Sequence, residues 1–90
     1  MTKIERFIVK QIKAENYVLT IHARKRMSER FIMDSDIVAM ASSLKSISKQ
    51  EGNDTYLLKG LDSWGESLNA SVAVRENVII VTVFYKEDML

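Results

Sequence analysis

The sequence predicts an α+β fold, with N-terminal helices packed on an antiparallel sheet of about four strands. Three observations predict it. Apolar residues recur at helical spacing as far as Leu44. Strict alternation then takes over, with Leu68, Ala70, Val72 and Val74 set against Asn69, Ser71, Ala73 and Arg75. Finally, Val78 to Tyr85 is apolar at nearly every position, as a strand buried on both faces requires. The chain has 90 residues, no proline, three glycines and no internal repeat, and reads as one domain over 1–90 with no linker.

Each element has its own signal. Thr2-Lys3-Ile4-Glu5 has the spacing of a capping box, and Ile4, Phe7, Ile8 and Ile12 follow on one helical face. Helix one is placed at about 3–15. Tyr17-Val18-Leu19 reads as extended, with Thr20 as the cap of helix two, His22 to Arg30. On that helix Ala23, Met27 and Phe31 form an apolar stripe, His22, Arg26 and Arg30 a polar row beside it, and Lys25, Ser28 and Glu29 the solvated side. Asp34 or Ser35 caps helix three, whose buried face is Ile37, Met40, Ala41 and Leu44.

The strands follow. Ser46-Ile47-Ser48 alternates weakly, Glu51 to Asp54 turns, and Thr55 to Lys59 is a strand. Gly60 to Gly65 reads as a loop that exposes Trp64, the sole tryptophan. A two-residue turn at Glu76-Asn77 would pair Arg75 with Val78. Leu68/Tyr85, Ala70/Val83, Val72/Val81 and Val74/Ile79 then share the apolar face, and Ser71 meets Thr82 on the other.

Composition narrows the functional classes. At 47% hydrophobic and 28% charged residues, the chain is a globular domain rather than a disordered one. It lacks the apolar run of about 18 residues that a membrane span needs. With no cysteine there is neither a disulfide nor a thiolate metal site, and a single histidine makes an all-protein metal site improbable. No glycine-rich phosphate loop is present. A cytoplasmic domain without metal or cofactor is therefore expected.

The net charge of +1 conceals an asymmetry: residues 1–33 carry eight bases and three acids, residues 34–90 five bases and nine acids. Such a chain can present a basic face to a polyanion without being basic overall.

The residues suited to chemistry gather on helix two. His22 is the only side chain whose ordinary pKa suits proton transfer near neutrality. Arg26 and Arg30 follow it at one-turn intervals, and guanidinium groups grip phosphate bidentately. The plainer alternative is that such arginines lay their stems over the core edge with their heads in water. That description suits Arg24, on the other border of the stripe, best. Thr82 offers a hydroxyl to a phosphate from the sheet, or else pairs with Ser71. Arg24, Lys25 and Trp64 are further candidates for nucleic-acid contact, through charge and base stacking.

Leu19-Thr20-Ile21-His22-Ala23, then Arg26-Met27 and Arg30, a short spacer and Asp36-Ile37, resembles a family of small uncharacterised bacterial domains. Its members end in a strand similar to Val78–Val83, so the resemblance covers about residues 17–85. Phe31 stands where glycine is usual, and the strand around Tyr56 lacks the basic cluster typical of ribosome-dependent toxins. That family is similar in fold to the RelE/ParE and barnase-like toxins, whose sheet holds an RNA-cleaving site.

The resemblance implies a RelE-like fold and a toxin-like, metal-independent endoribonuclease of a bacterial or mobile-element toxin–antitoxin module. His22, Arg26, Arg30 and Thr82 match the motif positions, RNA is the implied partner, and a cognate antitoxin accompanies such a module. The alternative is a non-catalytic domain of the same fold that binds nucleic acid or protein. A sheet this apolar on both faces also suits a homodimer.

Overall fold

A computed structural model of the chain describes residues 1–89. Helix α1, Lys3–Lys13, begins at the expected capping box: Thr2 accepts from the Glu5 N–H at 3.2 Å, and the Glu5 carboxylate accepts from the Thr2 N–H at 2.9 Å. Strand β1, Val18–Leu19, leads into α2, Ile21–Arg30, capped by Thr20. Helix α3 spans Asp34–Ser42, and β2 to β5 span Ser46–Lys49, Thr55–Leu61, Ser67–Val74 and Val78–Tyr85. A short 3₁₀ turn, Lys86–Met89, follows.

The fold is α+β. Its sheet has five strands in the order β1-β5-β4-β3-β2, and β1 lies parallel to β5 while the other pairs are antiparallel. The segment read simply as extended is thus an edge strand. Val18 stands opposite Ile79 and Leu19 opposite Ile80, which leaves the rest of β5 without a strand on that side. Helix α2 takes that place. The Thr20 N–H donates to the Ile80 carbonyl at 3.1 Å and the Thr20 hydroxyl to the Val81 carbonyl at 2.6 Å.

All three helices cover one sheet face. Ile8 and Ile12 of α1, Ala23 and Met27 of α2 and Ile37, Met40 and Ala41 of α3 pack with Leu58, Leu68, Ala70, Val72, Val78, Ile80 and Val83. Alternation therefore turns Lys59, Asn69, Ser71, Thr82 and Phe84 to the opposite face, which none of the three α-helices of the described residues covers.

Several expectations are corrected. The last hairpin turns through three residues, not two, so Val74 rather than Arg75 opposes Val78. Ala73 then meets Ile79 and Val72 meets Ile80, and the register shifts by one between Ser71 and Val72. Val81 is the extra residue of this bulge. The outer pairs Ser71/Thr82, Ala70/Val83, Asn69/Phe84 and Leu68/Tyr85 stand as expected, while the inner ones are displaced. The bulge also explains why Ile80 and Val83, three apart, both enter the core.

Phe31 does not join the apolar stripe. It adopts a left-handed φ of 57° as the C-cap of α2 and is 88% exposed. The cap of α3 is Met33 rather than Asp34 or Ser35, with the Asp36 carboxylate accepting from the Met33 N–H at 2.9 Å. Gly60 belongs to β3, not to a loop, because α3 crosses so closely that a Cβ there would run into the Met40 carbonyl.

Candidate functional site

Helix α2 presents His22, Arg26 and Arg30 from successive turns. The structure joins the two arginines at one point. Arg30 reaches the Asp88 carboxylate at 2.9 Å and Arg26 reaches it at 3.7 Å. Asp88 lies in the turn after β5, and its second tie is to the Tyr85 N–H at 3.3 Å. Its side chain is only 11% exposed, so the arginine pair is closed over by a carboxylate. Chemically this clamp is a pair of guanidinium groups converging on one carboxylate, Arg30 within hydrogen-bond distance and Arg26 in a longer ion pair.

The structure does not bring the other expected residues into this clamp. His22 is exposed in the first turn of α2 and forms no hydrogen bond among the described residues. Thr82 projects from the open face of β5, directly opposite Ser71. The Ser71 hydroxyl is bonded to the Gln50 side chain at 3.2 Å rather than to Thr82. Arg24 faces away from the clamp, lining a shallow hollow with Tyr17 and Asp34, and Lys25 is exposed. No bond or ion pair among the described residues ties Thr82, Arg24 or Lys25 to the clamp.

The backbone of Trp64 is tied down, although the residue is 87% exposed. Asp62 accepts from the Trp64 and Glu66 N–H groups, each at 2.8 Å, and from the Tyr85 hydroxyl at 2.8 Å. Asp36 adds a bond from the Ser63 N–H at 3.1 Å. Two buried carboxylates therefore build the loop, and Trp64 shares a surface hollow with Phe31 and Met33.

Burial tends to raise the Asp62 pKa, but donors from Glu66, Tyr85, Trp64 and Gly65 together hold it below the usual carboxylate value. The same contact, with burial as the larger cause, pushes the Tyr85 hydroxyl well up. Tyr17 is pushed up likewise, by burial and by its hydrogen bond to Asp34. Neither tyrosine is poised to exchange a proton near neutrality.

Sequence reasoning missed Asp88. Its only signal was the acidic Glu87-Asp88 pair just after the last strand. Among the described residues no three His, Asp or Glu side chains are placed to hold a metal, and no helix is long and apolar enough to cross a membrane.

No curated protein and no solved structure matches the chain. Residues 19–85, which run from the end of β1 through β5 and so include α2 with its arginines, match the family described as a domain of unknown function, DUF4258, and the chain belongs to that family.

Proposed function

We propose that the domain is a toxin-like, metal-independent endoribonuclease of a bacterial or mobile-element toxin–antitoxin module, with the RelE-like relationship that its motif suggests. The observation that carries the reading is the convergence of Arg26 and Arg30 on the single carboxylate of Asp88. A site that already binds one oxyanion with two guanidinium groups is matched to a phosphodiester.

His22 lies one turn before Arg26 and acts as general base. It takes the proton of the ribose 2′-hydroxyl, and the oxygen attacks the adjacent phosphorus. The bond to the 5′-oxygen breaks, and that oxygen leaves with a proton returned by the imidazolium or by water. The products are a 2′,3′-cyclic phosphate and a 5′-hydroxyl. Arg26 and Arg30 stabilise the more negative phosphorane, and Thr82, on the opposite sheet face, is left to orient a neighbouring stretch of the strand rather than the reacting phosphate. This chemistry requires that Asp88 leave the clamp.

The second reading, a non-catalytic binding domain, is favoured by one observation: among the described residues no hydrogen bond fixes the orientation or tautomer of His22. Cleavage of bulk and ribosome-bound RNA in EDTA, by wild type and His22→Ala, separates the two. The first reading expects cyclic phosphate ends and a variant slower by about 10²–10⁴-fold with unchanged melting. Equal cleavage by both proteins removes His22 from the mechanism. Salt-dependent binding without cleavage on either substrate establishes the second reading.

A further inference from the structure

We propose that a hollow on the open sheet face, ringed by Lys45, Lys59 and Lys86, binds the phosphate groups of single-stranded RNA. The proposal rests on the RNA-directed reading above but uses none of the clamp's own residues, although Lys86 shares the turn Lys86–Met89 with Asp88.

The register builds the hollow. Ser46 of β2 stands opposite Lys59 of β3, which stands opposite Asn69 of β4. Their strand neighbours Leu58 and Ala70 enter the core and Ile47 packs against it, so these three side chains share the opposite face. Lys45 is fixed at the rim by its N–H, which donates to the Lys59 carbonyl at 2.7 Å. Lys86 enters from the other end, immediately after Tyr85, whose partner Leu68 adjoins Ser67. The cavity measures about 300 Å³, with Asn69, 4% exposed, as its polar floor and Ser46 and Ser67 on its walls.

Its electrostatics are one-sided. No carboxylate among the described residues lines the cavity, and none of the three lysines forms an ion pair among them. Residues 34–90 hold five bases against nine acids, yet three of those five bases meet here. Like charges gathered around one concavity repel until an anion enters it. Hydroxyls beside the ammonium groups supply neutral donors for phosphate oxygens. Lysine is a point charge on a flexible stem, so the site reads backbone and not base sequence.

The test is binding of an eight-nucleotide oligouridylate and, separately, of inorganic phosphate. The proteins are wild type, Lys45→Gln/Lys59→Gln, Lys86→Gln, Arg26→Gln/Arg30→Gln, and Lys49→Gln as a control outside the hollow. The lysines are exposed, so folding is preserved, which melting curves verify. The double lysine variant is expected to lose at least about tenfold in oligonucleotide affinity at low salt. Every lysine that neutralises a phosphate should, when replaced, also flatten the log–log salt dependence by about 0.7. The control stays at wild-type affinity.

Undiminished binding by the lysine variants, with the decrease confined to the arginine variant, overturns this inference and leaves the proposed function standing. A decrease in the lysine variants but not in the arginine variant supports it and overturns the clamp. Phosphate binding that depends on the lysines without oligonucleotide binding overturns the RNA assignment in favour of a small-anion site.

Discussion

Asp88 is the residue on which the clamp turns. It pairs with both Arg26 and Arg30 from a short turn at the end of the described chain, and the proposed mechanism requires it to yield to the phosphate. Asp88→Asn removes the competing charge while keeping the side-chain shape. Oligonucleotide affinity measured by fluorescence anisotropy is expected to rise about tenfold, equivalent to about 1.4 kcal/mol. An unchanged affinity would show that Asp88 does not compete for the arginines.

Gly60 gives a prediction of a different kind, since its neighbour is backbone and cannot swing aside. Gly60→Ala should cost roughly 1–3 kcal/mol by overpacking, read as a lower urea midpoint with the slope retained. Its role was illegible in the sequence. Glycine usually marks a loop, and only the approach of α3 makes it necessary inside a strand.

At the scale of elements, legibility follows the range of the interaction. The caps at Thr2 and Thr20 each depend on the residue three positions on, so the local sequence reveals them. The cap of α3 was misplaced because Asp36 serves two ends at once, the nearby Met33 N–H and the distant Ser63 N–H. The bulge at Val81 was hidden because every residue from Val78 to Val81 is apolar, so hydrophobicity alone cannot distinguish one register from the next.

Thr20 shows how a local signal can carry a tertiary duty. Its hydroxyl oxygen accepts from the Ala23 N–H at 3.0 Å while its proton goes to the Val81 carbonyl, tying the start of α2 to the bulged strand. Thr20→Ala should destabilise the domain by about 1–2 kcal/mol in chemical denaturation. Thr20→Ser, which keeps both bonds, should recover most of that stability.

For the whole molecule, buried polar groups set the pH range of stability. The Asp62 pKa is lowered on folding, so its contribution is present above the ordinary carboxylate value of 3.8 and is lost as pH falls through the folded value. Tyr17 and Tyr85 are raised, so their contribution is complete below 10.0 and is lost as pH rises beyond it. Urea midpoints between pH 2 and 11 should fall at both ends, and Tyr85→Phe should flatten the alkaline limb. Arg26 and Arg30 were legible as a pair because one helix carries both. Lys45, Lys59 and Lys86 were not, because only the pairing of β2, β3 and β4 and the placement of the last turn bring them together.

The layout of the sheet also makes its two borders unequal. One border is β1, two residues long, continued by α2 with its Thr20 bonds to β5. At the other border β2, Ser46–Lys49, has no strand on its outer side among the described residues. Copies joining border to border through backbone hydrogen bonds therefore have one longer template each. Two copies pairing through β2 would use both of these longer templates at once, leaving only the two-residue β1 borders for further strand addition.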